Sequence, residues 1–77
     1  MNAKHRNLNT NKLLNSKWTA VAPENKEKHF MVTSVMKPEL PNIKVDFLEL
    51  EAVYSKVIRI IAWQELTDIN IWQQGWL

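Results

Sequence analysis

"LELEAVYSKVIRIIAW", Leu48 to Trp63, can be wound as one helix or folded as a hairpin, and the choice sets the fold class. As a helix over about 49–62, Leu50, Val53, Tyr54, Val57, Ile58, Ile60 and Ile61 fall in one arc. Glu49, Glu51, Ser55, Lys56 and Arg59 then lie opposite. As strands, Leu48, Leu50, Ala52 and Tyr54 share a face, and Ile58, Ile60 and Ala62 share another. The β-branched cluster "VIRII" favours a strand, because branched side chains pack well on a pleated surface. Ser55–Lys56 would be the turn, without the glycine that two-residue hairpins prefer. Period alone leaves both readings open.

The flanks read as β. "KWTAV" alternates Trp18, Ala20 and Ala22 against Lys17, Thr19 and Val21, and Pro23 closes it. After the charged loop "PENKEK", "HFMVTSVMK" sets Phe30, Val32 and Ser34 against His29, Met31, Thr33 and Val35. Pro38 and Pro41 end that strand. At the far end Asp68 offers an N-cap and Gly75 the left-handed residue past a short helix carrying Trp72. The lead-in through Asn11 is rich in asparagine and holds little apolar besides Leu8. It is expected to be a disordered tail, 1–11, ahead of a single small β domain, 12–77.

A chain of 77 residues supports one domain, and at this size only about 60% of the unfolded surface is buried. The four tryptophans, Trp18, Trp63, Trp72 and Trp76, are therefore expected mainly as core. Cysteine is absent, which removes disulfides, thiolate metal sites and cysteine nucleophiles. No apolar run approaches the ~18 residues of a membrane span, so a cytoplasmic protein without membrane contact is expected. Residues 1–20 carry +4 and the remainder −2, which sum to the net +2. That balance is too small to imply nucleic acid by itself.

Catalytic chemistry finds little footing. His5 and His29 are the two histidines, and no acid stands at metal-ligand spacing from either. Gly75 is the single glycine, so neither a phosphate-cradling loop nor a nucleophile elbow can form. No enzyme activity, cofactor or metal is expected. What stands out is Lys17, Trp18, Lys26, Lys28, His29 and Phe30, which interleave cations with aromatic rings. Single-stranded nucleic acid is bound by that combination, phosphates on the lysines and bases on the rings. Glu24 and Glu27 dilute the charge. The competing reading is a protein-interaction module acting through an exposed sheet edge, such as "HFMVTSV", or through a homodimer.

"KLLNSKWTAVAPENKEKHFMVT", then "LEAV", then Ile61, Trp63, Leu66, Asp68, Trp72, Gly75 and Trp76 at their spacing, resemble a small tryptophan-rich family of bacterial proteins of unknown function. The resemblance runs from about Lys12 to Trp76. It implies a hairpin after "LEAV", since that family often carries a glycine turn there and a proline before the tryptophan matching Trp63. This sequence has Ser55–Lys56 and Ala62 instead. The resemblance implies no activity, cofactor or catalytic residue. The expected fold is mainly β: a four-stranded antiparallel meander, curled in an SH3-like or Sm-like manner, with a short C-terminal helical turn. A helix at 49–62 in an α+β fold is the alternative. The expected role is non-enzymatic binding, with RNA or single-stranded DNA ahead of a protein partner.

Overall fold

The computed structural model describes residues 5–37 and 46–77. The deciding segment is a hairpin. Its first arm, Phe47–Ala52, and its second, Ile58–Ala62, pair antiparallel from Phe47↔Ala62 to Glu51↔Ile58. The loop between them is five residues long, Val53 to Val57, rather than the two expected. Ala52 N donates to Val57 O at 2.9 Å, and Lys56 N closes an i→i+4 turn on Ala52 O at 2.8 Å. Lys56 ends the turn in the left-handed region, φ 67°. A helix would have buried the arc of Val53, Tyr54, Val57 and Ile58. All four are exposed, and the residues buried instead are the alternating Leu48, Leu50 and Ala52. Strand alternation wins because the preceding strand offers Phe30, Val32 and Val35 as partners for Ala52, Leu50 and Leu48.

Five strands form one open sheet: β1 Lys17–Glu24, β2 Glu27–Met36, β3 Phe47–Ala52, β4 Ile58–Ala62 and β5 Trp72–Gln74. The order β4-β3-β2-β1-β5 contains the expected meander and adds a strand to it. The order is open and does not close into a barrel. Among the described residues β4 and β5 are its two edge strands. One further correction concerns β2. A register shift between Val32 and Ser34 moves Ser34 opposite Glu49 and brings Val35 opposite the buried Leu48. A bulge reverses the side-chain alternation beyond it, so Val35, not Ser34, joins Phe30 and Val32 on the core face.

The core lies on one face of the sheet. Trp18, Phe30, Val32, Leu48, Leu50 and Ala52 are covered by Leu13, Leu66 and Trp72. Phe30 meets Trp72 edge-on at 5.1 Å between centroids. Each buried indole N–H has an acceptor: Trp18 Nε1 donates to Ser16 Oγ at 2.8 Å and Trp72 Nε1 to Glu65 Oε2 at 3.0 Å. Paired donors let rings this large be buried without an unsatisfied polar atom. Trp63 is partly buried and packs against the same core.

The expected helix after Asp68 is replaced. The helical turn is the 3-10 segment Trp63–Thr67, which Asp68 terminates. Asp68 Oδ1 accepts from Asn70 N at 2.8 Å, so its side chain caps a tight turn rather than a helix. The chain then enters β5, pairing Trp72 with Ala20 and Gln74 with Trp18. Gly75 does adopt positive φ, 84°, but after a strand. Among the described residues no helix is long and apolar enough to cross a membrane.

The expected tail, 1–11, lies partly outside the described residues, which begin at His5. From His5 onward the chain packs against the sheet. His5 bridges to Asp68, and Arg6 N donates to Thr67 O at 2.7 Å. The Arg6 guanidinium donates to Leu66 O and Trp72 O and lies 5.2 Å over the Trp18 ring. Composition could not show this, because the acceptors are backbone carbonyls 60 and 66 positions away.

Two outcomes follow from this packing. Phe30→Ala should cost roughly 3–5 kcal/mol, most of the stability of a domain this small, as read by chemical denaturation. Arg6→Ala should cost about 1–3 kcal/mol through its lost charged hydrogen bonds. In the unsubstituted chain, amide order parameters from Arg6 to Asn11 should approach the rigid value of ~0.85.

Candidate functional site

The turn joining β1 to β2 holds the first cation of the site. Glu24 pairs with Glu27, and the two residues between them, Asn25 and Lys26, both have positive φ, 55° and 64°. A primed turn of this kind matches strand twist and takes Asn first and Gly second. Lys26 occupies the position where glycine would be relaxed. Lys28 and His29 follow on β2. Val53 N donates to His29 O at 2.9 Å, which sets the β3–β4 loop beside them. Lys26, Lys28, His29, Val53 and Tyr54 line an open groove of about 420 Å³. Tyr54 is 78% exposed.

Glu27 does not oppose these cations as its sequence position suggests. It is buried, accepts from Ser55 Oγ at 2.6 Å and lies 3.9 Å from the Arg59 guanidinium. Among the described residues that is the one ion pair, and none of the described carboxylates pairs with Lys17, Lys26 or Lys28.

A second aromatic adjoins the groove from the side of β1. The turn at Gly75 carries the chain back over the face opposite the core, where Thr19 Oγ1 donates to Gly75 O at 2.6 Å and Leu77 N donates to Thr19 Oγ1 at 3.0 Å. Trp76 Nε1 donates to Phe30 O at 2.8 Å. Its ring, 41% exposed, stands 6.2 Å from the His29 ring and 4.9 Å under Lys17 Nζ. His29 is therefore common to both parts. It lines the groove and touches Trp76, giving a continuous strip of Lys26, Lys28, Tyr54, His29, Trp76 and Lys17.

Of the six residues singled out from sequence, four are in this strip: Lys17, Lys26, Lys28 and His29. Trp18 and Phe30 are not. They are 1% and 0% exposed and serve as core. The aromatics that replace them were missed. Tyr54 could have been found once the alternation of β3 was seen to stop at Ala52, and Trp76 from the turn that Gly75 permits. "HFMVTSV" is not an edge, since β2 is hydrogen-bonded on both sides, to β1 and to β3. The chemistry available is cation and ring. Ser16 Oγ is committed to Leu13 O and to the Trp18 indole, and among the described residues no group of His, Asp and Glu could hold a metal ion.

Neither the curated proteins nor the solved structures contain a significant match to this chain. The family model described as tryptophan-rich protein (DUF2389), of unknown function, matches residues 16–77, and the chain belongs to that family.

Proposed function

We propose that this is a non-enzymatic binding protein whose basic-aromatic strip takes single-stranded nucleic acid, RNA or DNA. The observation that carries this reading is the exposed Tyr54 and Trp76 on either side of His29, with Lys17, Lys26 and Lys28 around them. Ring faces accept bases of any identity, and ammonium groups accept phosphates without demanding a fixed geometry. The groove is open rather than enclosed, which suits a strand passing along it better than a small molecule that must be surrounded. Lys26 adds a separate argument. A side chain in a backbone conformation suited to glycine costs on the order of 1 kcal/mol, and such strain is concentrated at functional positions.

A titration of the labelled protein with short oligouridine, followed by amide shifts, tests the reading. Shifts should centre on residues 17, 26–29, 54 and 76, and affinity should fall with salt at a log–log slope of ~0.7 per phosphate contact. Lys17→Gln with Lys28→Gln should flatten the slope by about 1.4. Tyr54→Ala should weaken binding by about 1–3 kcal/mol, the worth of one stacked base. Absence of shifts in this strip at low salt sinks the proposal.

Lys26→Gly separates stability from binding. Relief of the turn, offset by the entropy that glycine adds to the unfolded chain, should leave stability unchanged or up to about 1 kcal/mol higher. Oligouridine affinity should drop nonetheless. Melting and titration of the same variant check both halves.

A further inference from the structure

We propose that β4 is the site at which the protein pairs with a second copy of itself, joining two sheets edge to edge. The inference is independent of the nucleic-acid reading and starts from main-chain geometry. Ala52 N donates to Val57 O, and Trp63 N donates to Asp46 O at 3.3 Å, so these pairs bracket the β3–β4 ladder. Hydrogen-bonded and non-hydrogen-bonded pairs alternate along an antiparallel ladder. Arg59 and Ile61 therefore turn their N–H and C=O groups toward β3, opposite Leu50 and Leu48. Ile58, Ile60 and Ala62 turn theirs outward, where among the described residues no other strand meets them.

An open row of this kind is normally blunted by brevity, proline, bulges or edge charges. β5, the opposite edge, is so protected: it is three residues long and carries Gln73 and Gln74. β4 is five residues long and carries neither proline nor a bulge. Its one charge, Arg59, is drawn over the Phe30 ring at 4.9 Å and toward Glu27, away from the edge. The side chains beside the open row are apolar. Ile58 and Ile60 are each 53% exposed, and the adjacent Phe47 is 43% exposed.

The register identifies the occupant as this same chain. With two β4 strands antiparallel about a two-fold axis at Ile60, Ile60 opposes itself and Ile58 opposes Ala62 of the second copy. Every pair then joins outward-facing residues. Three such pairs exchange two bonds each, about six main-chain hydrogen bonds in all. The large Ile58 meets the small Ala62, and Arg59 lies across from Ile61. Centring on Arg59 instead would set two guanidinium groups directly opposite one another, which is unfavourable. Edge pairing buries little surface, so the dimer is concentration-dependent.

The chain has no cysteine, so single thiols can be placed without background. In the proposed register Ile60→Cys puts the two Cα atoms about 5.5 Å apart, within the ~4.4–6.8 Å that a disulfide spans. Ile58→Cys leaves the matching atoms about 13 Å apart along the strand. In a glutathione redox buffer, Ile60→Cys should form covalent dimer at least about tenfold faster than Ile58→Cys. Sedimentation velocity over a concentration series should show the unsubstituted chain shifting toward dimer and Ile60→Lys remaining monomeric. Amide fingerprints of each variant establish that it is folded. If Ile60→Cys crosslinks no faster than Ile58→Cys, or if the unsubstituted chain sediments as Ile60→Lys does at every concentration, the proposal is overturned.

Discussion

The edge-on contact between Phe30 and Trp72 is the interaction on which the rest of this small domain depends. Phe30 sits on the central strand, between Trp18 on one side and Ala52 on the other. Trp72 reaches it from β5, and the 3-10 turn lays Leu66 into the same core. A domain of this length has few large side chains to bury. Two rings meeting near the sheet centre hold strands from both halves of the chain. The same residue also anchors the opposite face, because its carbonyl accepts the Trp76 indole N–H. One position thus aligns the buried layer and the exposed strip.

The four tryptophans divide by what their N–H groups find. Trp18 and Trp72 have side-chain acceptors inside and are buried whole, while Trp63 lies at the margin. Trp76 finds a backbone carbonyl on the other face and leaves much of its ring in water. A tryptophan-rich composition therefore serves two ends in this chain. Burial compensates for small size, and one ring left over lies beside Lys17 and His29.

The first two strands and the basic character of the β1–β2 turn were legible in the sequence, because period-two alternation and turn residues are local signals, whereas the β3–β4 hairpin was implied by the family resemblance and not by period. What escaped reading is non-local. The alternation of β2 breaks at a bulge that only pairing with β3 requires, so Ser34 and Val35 exchanged roles. β5 carries two glutamines in three residues and has no strand signal of its own; β1 makes it a strand. Arg6 looked like part of a polar tail because its acceptors are main-chain oxygens near the other end of the chain. In the candidate strip, Lys17, Lys26, Lys28 and His29 are residues singled out from the sequence, whereas Tyr54 and Trp76 are not. Rings adjacent to lysines in sequence point into the core, and the rings adjacent in space come from a loop and from a turn past β5.

The sheet order also has a bearing on how the chain is made. β1 lies between β2 and β5, so one of its two neighbours is synthesised long after it. The Arg6 clasp likewise closes on Leu66 and Trp72. On the ribosome, Trp18 and Phe30 emerge early and stay without their covering layer until Trp72 has left the exit tunnel. Contacts this distant in sequence make folding a late, whole-chain event rather than a progressive one. Until then the strands already made keep one apolar face open, with Trp18 and Phe30 on it.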